Sequence, residues 1–146
     1  KCNVMLIFSI DGPKEFNEKA RLGAKQERIY KTINSVIERT KHVPNIDICI
    51  EFTGTNQSVK QLIPLYEEIL VNLPVDGSYN GPYMIANTCA YPENLALQNA
   101  DRETWDYMRN DLFRYFIKKK DFLGEQFFSM VDKYCGIVHK NIHKLN

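Results

Sequence analysis

Val4-Met5-Leu6-Ile7-Phe8-Ser9-Ile10 runs into Asp11-Gly12-Pro13. A short, continuous apolar run bounded by turn residues reads as a strand buried on both faces, the kind that parallel sheets use. About forty residues on comes Ile46-Asp47-Ile48-Cys49-Ile50-Glu51-Phe52, a spacing that suits a strand–helix–strand unit. Here the alternation is strict. Residues 46, 48, 50 and 52 are apolar, and the opposite face carries Asp47, Cys49, Glu51 and Thr53. These two runs predict an α/β fold with parallel βα units.

The segments between and beyond them agree. The stretch from Asp11 to about Gly23 reads as a loop. Gln26 to Lys41 places Ile29, Ile33, Val36 and Ile37 at helical offsets, and Pro44 ends that helix. A second helix runs to about Leu73. It starts either at Ser58, with Gln61 completing a capping box, or at Pro64; Pro74 and Asp76-Gly77 close it. A third strand falls within Pro82 to Tyr91. Asp101 is the N-cap of a helix to about Lys120 with the stripe Trp105, Met108, Leu112, Tyr115 and Phe116. A last helix covers 124–144. The chain then divides into a βα region over 1–100 and a helical extension over 101–146.

Composition bounds the function. The 146 residues suit one domain of roughly 100–200 residues. With 44% hydrophobic and 25% charged residues, the chain is an ordinary globular one. Nineteen basic against eighteen acidic residues give a net charge of +1, which argues against a nucleic-acid partner. The longest apolar run, Val4 to Phe8, falls far short of the roughly 20 residues that span a bilayer, so no membrane partner is expected. Cys2, Cys49, Cys89 and Cys135 are widely and nearly evenly spaced and contain no CxxC pair. That pattern points to reduced thiols in a cytoplasmic protein. His139 and His143 are spaced i, i+4 but lack a third ligand. No GxGxxG, GxxxxGK[ST] or GxSxG motif is present.

The strand ends carry the chemistry. In parallel sheets ligands bind at the carboxyl ends of the strands. If the two polar faces point the same way, Ser9, Asp11, Glu51 and Thr53 converge there. Such a hydroxyl–carboxylate cluster suits ribose hydroxyls or an ammonium group. The plainer alternative places Asp47 and Glu51 in solvent on an edge strand and makes Asp11 a turn cap. A third possibility is an enzyme using Glu51 or Asp11 as a general base.

Ser9-Ile10-Asp11-Gly12-Pro13-Lys14-Glu15-Phe16-Asn17-Glu18-Lys19-Ala20-Arg21 resembles the S-[IL]-D-G-P-x-E-x-[HN]-[DE]-x-x-R segment of radical S-adenosylmethionine enzymes, closest to the maturases with a SPASM or twitch extension. The resemblance covers about residues 4 to 87. It implies a partial (β/α)6 TIM-like barrel. In such enzymes a [4Fe-4S] cluster reductively cleaves S-adenosylmethionine, and the resulting radical abstracts a hydrogen atom from a peptide or small-molecule substrate. By position, Ser9 falls near the ribose or methionine part of the cofactor, and Asp11 supports that strand end. Thr53 and Asn56 fall near the adenosine, and Arg21 matches the family's loop arginine. Glu51 joins this candidate binding set from the spacing argument. The family's CxxxCxxC motif and its Gly-Gly-acidic motif are absent; the resemblance places both before Lys1. It therefore implies the C-terminal half of a barrel plus a helical extension. Such a chain binds no cluster by itself and offers strand edges for its N-terminal half or for self-association.

Overall fold

The structure, a computed structural model, describes residues 3–74, 83–89, 91–115 and 118. The expected helix over 124–144, the turn at Asp76-Gly77, and Cys2, Phe116, Cys135, His139 and His143 lie outside the described residues. The elements are β1 (Val4–Ser9), α1 (Lys14–Ala20), α2 (Gln26–Thr40), β2 (Ile46–Gly54), α3 (Leu62–Asn72), β3 (Tyr83–Thr88) and α4 (Arg102–Tyr107). The fold is mixed α/β. Its three strands form a parallel sheet in the order β1-β2-β3, with β1 and β2 in register from Val4↔Ile46 to Ser9↔Glu51. Among the described residues no helix is long and apolar enough to cross a membrane.

Three expectations are corrected. First, β1 is not buried on both faces. Among the described residues it is an edge strand, paired with β2, and Val4, Met5 and Ile7 are 42%, 49% and 53% exposed. Second, β2 is the central strand of the three, so the alternative that set Asp47 and Glu51 on an edge strand falls away. Ile48, Cys49, Ile50 and Phe52 are buried, Glu51 is half-buried, and only Asp47 is exposed. Third, the stretch read as a loop contains α1. It follows extended Pro13 and has Glu15 in its first turn and Lys19 in its last, both matching the helix dipole. Its one buried residue is polar Asn17, so no apolar stripe announced it. The turn before it depends on Gly12, because a Cβ there would lie 2.7 Å from the Phe16 ring. Gly23, at φ +85°, then reverses the chain into α2.

On α2 the buried positions are Gln26, Tyr30, Ile33 and Ile37, while Ile29 and Val36 are half-buried. The face is therefore rotated slightly toward two polar side chains. The entry to α3 also differs from both expected starts. Thr55 Oγ1 accepts the Ser58 N–H at 2.9 Å, and Ser58 Oγ accepts the Thr55 N–H at 2.9 Å. That reciprocal exchange is the logic of a capping box, with serine in place of the usual glutamate. It opens a 3₁₀ turn, Val59–Gln61, that leads into α3. Pro64 sits in the first turn of α3, where a missing N–H costs nothing.

Asp101 caps α4 as expected, its carboxylate accepting the Thr104 N–H at 2.7 Å. Trp105, Met108 and Leu112 are buried as expected. The helix continues past Tyr107 through a π turn, Met108–Leu112. The Thr104 hydrogen bonds hold the Asp101 carboxyl below its ordinary value of 3.8. A lowered carboxyl stabilises the fold above its ordinary value, and that contribution is lost as pH falls through the folded-state value. Asp101→Asn keeps a good cap without a charge. It should match the parent near pH 7 and flatten the acid limb of stability below about pH 4, read as thermal midpoint against pH. An unchanged acid limb would remove Asp101 from the pH dependence.

The described chain falls into two compact units. One is formed by the chain up to Phe52 with Pro64–Ile85, the other by Thr53–Ile63 with the chain from Ala86 onward. The first unit buries Ile10, Ile33, Ile48, Ile50, Phe52 and Leu65. The second buries Val59, Leu62, Leu97, Trp105, Met108 and Leu112.

Candidate functional site

Register decides the first pairing. Ser9 stands opposite Glu51 at the carboxyl end of the β1–β2 ladder. The Ser9 hydroxyl donates to Glu51 Oε2 at 3.3 Å, and both residues are half-buried. The pair sets a hydroxyl and a carboxylate side by side, groups of the kind that accept a ligand O–H or N–H.

Asp11 and Arg21 also meet. Arg21 Nε donates to Asp11 Oδ2 at 2.7 Å and Nη2 to Oδ1 at 3.2 Å. This two-pronged geometry is the strong form of the pair. The hydrogen bond to Asp11 raises the Arg21 pKa above its ordinary value, and the Glu51 charge adds to the field. Asp11 therefore does more than cap a turn: its carboxylate neutralises the cation beside the Ser9–Glu51 pair.

Beneath this surface runs a polar network that sequence reasoning missed. Asn17 is fully buried and Gln26 is 1% exposed. Asn17 Nδ2 donates to Gln26 Oε1 at 2.6 Å, and Gln26 Nε2 donates to the Gly12 carbonyl at 3.2 Å. Glu68 on α3 accepts from Gln26 Nε2 at 3.2 Å, the Tyr30 hydroxyl at 2.9 Å and the Lys14 N–H at 2.9 Å. Burial first, then the bond to Glu68, pushes the Tyr30 phenol above its ordinary range. The available signal was Gln26 and Tyr30, spaced i, i+4 in line with Ile33 and Ile37. A polar residue on a core-facing stripe needs buried partners.

Thr53 and Asn56 belong to the second unit. The Thr53 carbonyl accepts the Ser58 hydroxyl at 2.9 Å. The Asn56 N–H donates to the Leu95 carbonyl at 3.1 Å, and its Nδ2 donates to the Asn94 carbonyl at 2.9 Å. Asn56 Oδ1 is buried and has no hydrogen-bond partner among the described residues. These bonds fix the turn after β2 against the 3₁₀ turn Glu93–Leu95.

Among the described residues no three Cys, His, Asp or Glu side chains gather at metal-binding distance. Cys49 and Cys89 are free thiols. Cys49 is wholly buried, and burial pushes its thiol up to about 11 from an ordinary 9.0. At neutral pH its thiolate fraction is therefore about a hundredfold below that of an ordinary thiol. Alkylation of the native chain with iodoacetamide, followed by peptide mapping, should label Cys89 and leave Cys49 unmodified until denaturant is added. Rapid native labelling of Cys49 would contradict its place in the core.

The fold and site thus define a parallel α/β domain with a hydroxyl–carboxylate pair and an ion pair at its strand ends. Comparison with known proteins adds no assignment: no family profile, curated protein or solved structure matches this chain.

Proposed function

We propose that this chain supplies later strands of a radical S-adenosylmethionine-type partial barrel and that its strand ends hold the ribose or methionine part of S-adenosylmethionine. The observation that carries the reading is the Ser9–Glu51 pair. It stands at the carboxyl ends of adjacent parallel strands, where ligands of parallel sheets bind. Glu51 accepts a ribose hydroxyl or an ammonium proton, Ser9 donates or accepts beside it, and the Asp11–Arg21 pair shapes the rim. The exposed apolar residues of edge strand β1 support the same reading, since a further strand would cover them. S-adenosylmethionine, when bound with a cluster, supplies the radical. The residues of this chain bind and orient it and take no part in electron delivery.

The cysteine arrangement favours a second reading, a stand-alone ligand- or partner-binding α/β domain without redox chemistry. Two measurements separate the readings. The first is calorimetric titration of the chain with S-adenosylmethionine. Binding that weakens about tenfold in Glu51→Gln is expected, because hydrogen bonds to a charged group are the stronger class. Absence of binding to the unsubstituted chain would sink the nucleotide reading. The second is the coding sequence upstream of Lys1. An in-frame CxxxCxxC pattern supports the radical enzyme; a start codon directly before Lys1 supports the stand-alone domain. Anaerobic reconstitution of the 146-residue chain should yield no cluster. About four irons per chain with cluster absorbance would overturn that expectation.

A further inference from the structure

Both members of the Asp11–Arg21 pair are tied to one buried residue, Asp11 through that residue's side chain and Arg21 through its backbone carbonyl. Asn17 Oδ1 accepts the Asp11 N–H at 3.0 Å, and the Asn17 carbonyl accepts the Arg21 N–H at 2.9 Å. We propose that Asn17 is the positioning residue of the strand-end site, set in place by Gln26 and, behind it, by Glu68. The assignment rests on the reading of that strand end as a ligand site.

The geometry runs in one direction, from core to rim. Asn17 Nδ2 is committed to Gln26 Oε1 at 2.6 Å, which fixes which way its Oδ1 faces. Gln26 in turn spans the Gly12 carbonyl and Glu68 Oε1, each at 3.2 Å. Glu68 also takes the Tyr30 hydroxyl and the Lys14 N–H. The backbone at Asp11, Gly12 and Lys14 is thus tied to α1, α2 and α3 at three successive points. At the rim, the Arg21 and Asp11 side chains are 44% and 26% exposed. A pair that exposed gains little unless its geometry is imposed from outside, because two long side chains must lose their freedom to form it. Asn17 imposes it by holding both backbones at once. Disturbance at Glu68 should therefore be felt at Arg21, although the two side chains share no contact in the network.

The test reads solvent exchange of the Arg21 Nε–H by NMR, normalised to the amide of Ile50 in the core so that global opening cancels. In Asn17→Ala, Arg21 exchange should speed about tenfold relative to Ile50. In Glu68→Gln, which swaps an acceptor oxygen for a donor and perturbs the chain more mildly, about threefold is expected. Glu27→Ala removes only the exposed 2.6 Å pair with Lys14 Nζ and should change nothing. A folded Glu68→Gln chain with unchanged Arg21 exchange would overturn the proposal, and it decides the question even if Asn17→Ala does not fold. The ligand reading fails separately: adding S-adenosylmethionine to the unsubstituted chain would then leave the Ser9 and Glu51 resonances unmoved. Positioning by Asn17 is judged on the exchange data alone.

Discussion

Phe52→Ala is expected to lower the unfolding free energy by about 3–5 kcal/mol, the range for emptying a buried aromatic site. Phe52 has no exposed surface and is among the largest fully buried side chains. It belongs to the central strand, so its surroundings cannot collapse into the space as readily as at an edge. A chain of this size has about 5–15 kcal/mol of stability in total, so one substitution removes a fifth or more of it. The loss should appear in urea unfolding followed by far-ultraviolet circular dichroism. Ile50→Val, at a neighbouring core position, should cost only about 0.5–1.5 kcal/mol and sets the scale. Phe52 lies between Glu51 and Thr53 on the opposite face of the same strand. Its packing is therefore what holds the carboxylate side of β2 at its level opposite Ser9. A cost for Phe52→Ala near that of Ile50→Val would mean that the strand end is loosely packed and that the Glu51 position owes little to the core.

Gln26→Leu is expected to cost about 2–5 kcal/mol, although leucine is the more apolar residue. The substitution leaves two groups without their partner, the Asn17 amide and the Gly12 carbonyl. A buried donor or acceptor stripped of its partner costs about 1–3 kcal/mol. Tyr30→Phe serves as the contrast. It removes one hydroxyl that donates to Glu68, while Gln26 keeps its bonds to Asn17, Gly12 and Glu68. About 1 kcal/mol is expected there. Both are read from urea midpoints at fixed slope. Equal or greater stability of Gln26→Leu would show that α2 tolerates an apolar residue facing Asn17 and that the network is dispensable to the fold.

The elements that could be read along the chain are those whose signal is local. The alternation in Ile46 to Phe52, the stripe from Ile33 to Ile37 and the Asp101 cap are patterns of adjacent residues, and each became the element it indicated. The parallel α/β class followed from the same patterns. Helix α1 could not be read because its inward residue is Asn17, which looks like a surface residue until Gln26 stands opposite it. The order of strands was equally hidden. An apolar run such as Val4 to Phe8 is compatible with a central or an edge position, and only its place beside β2 makes it an edge among the described strands.

The site divides along the same line. Ser9, Asp11 and Glu51 stood out by residue type at strand ends, because side-chain alternation is a property of each strand by itself. Their partners were set by register and by folding back of the chain. Ser9 meets Glu51 across forty-two positions and Glu68 meets Tyr30 across thirty-eight. Contacts at such separation leave no periodic trace in a sequence. They arise only when separate apolar faces are buried together and the polar groups caught between them must find one another.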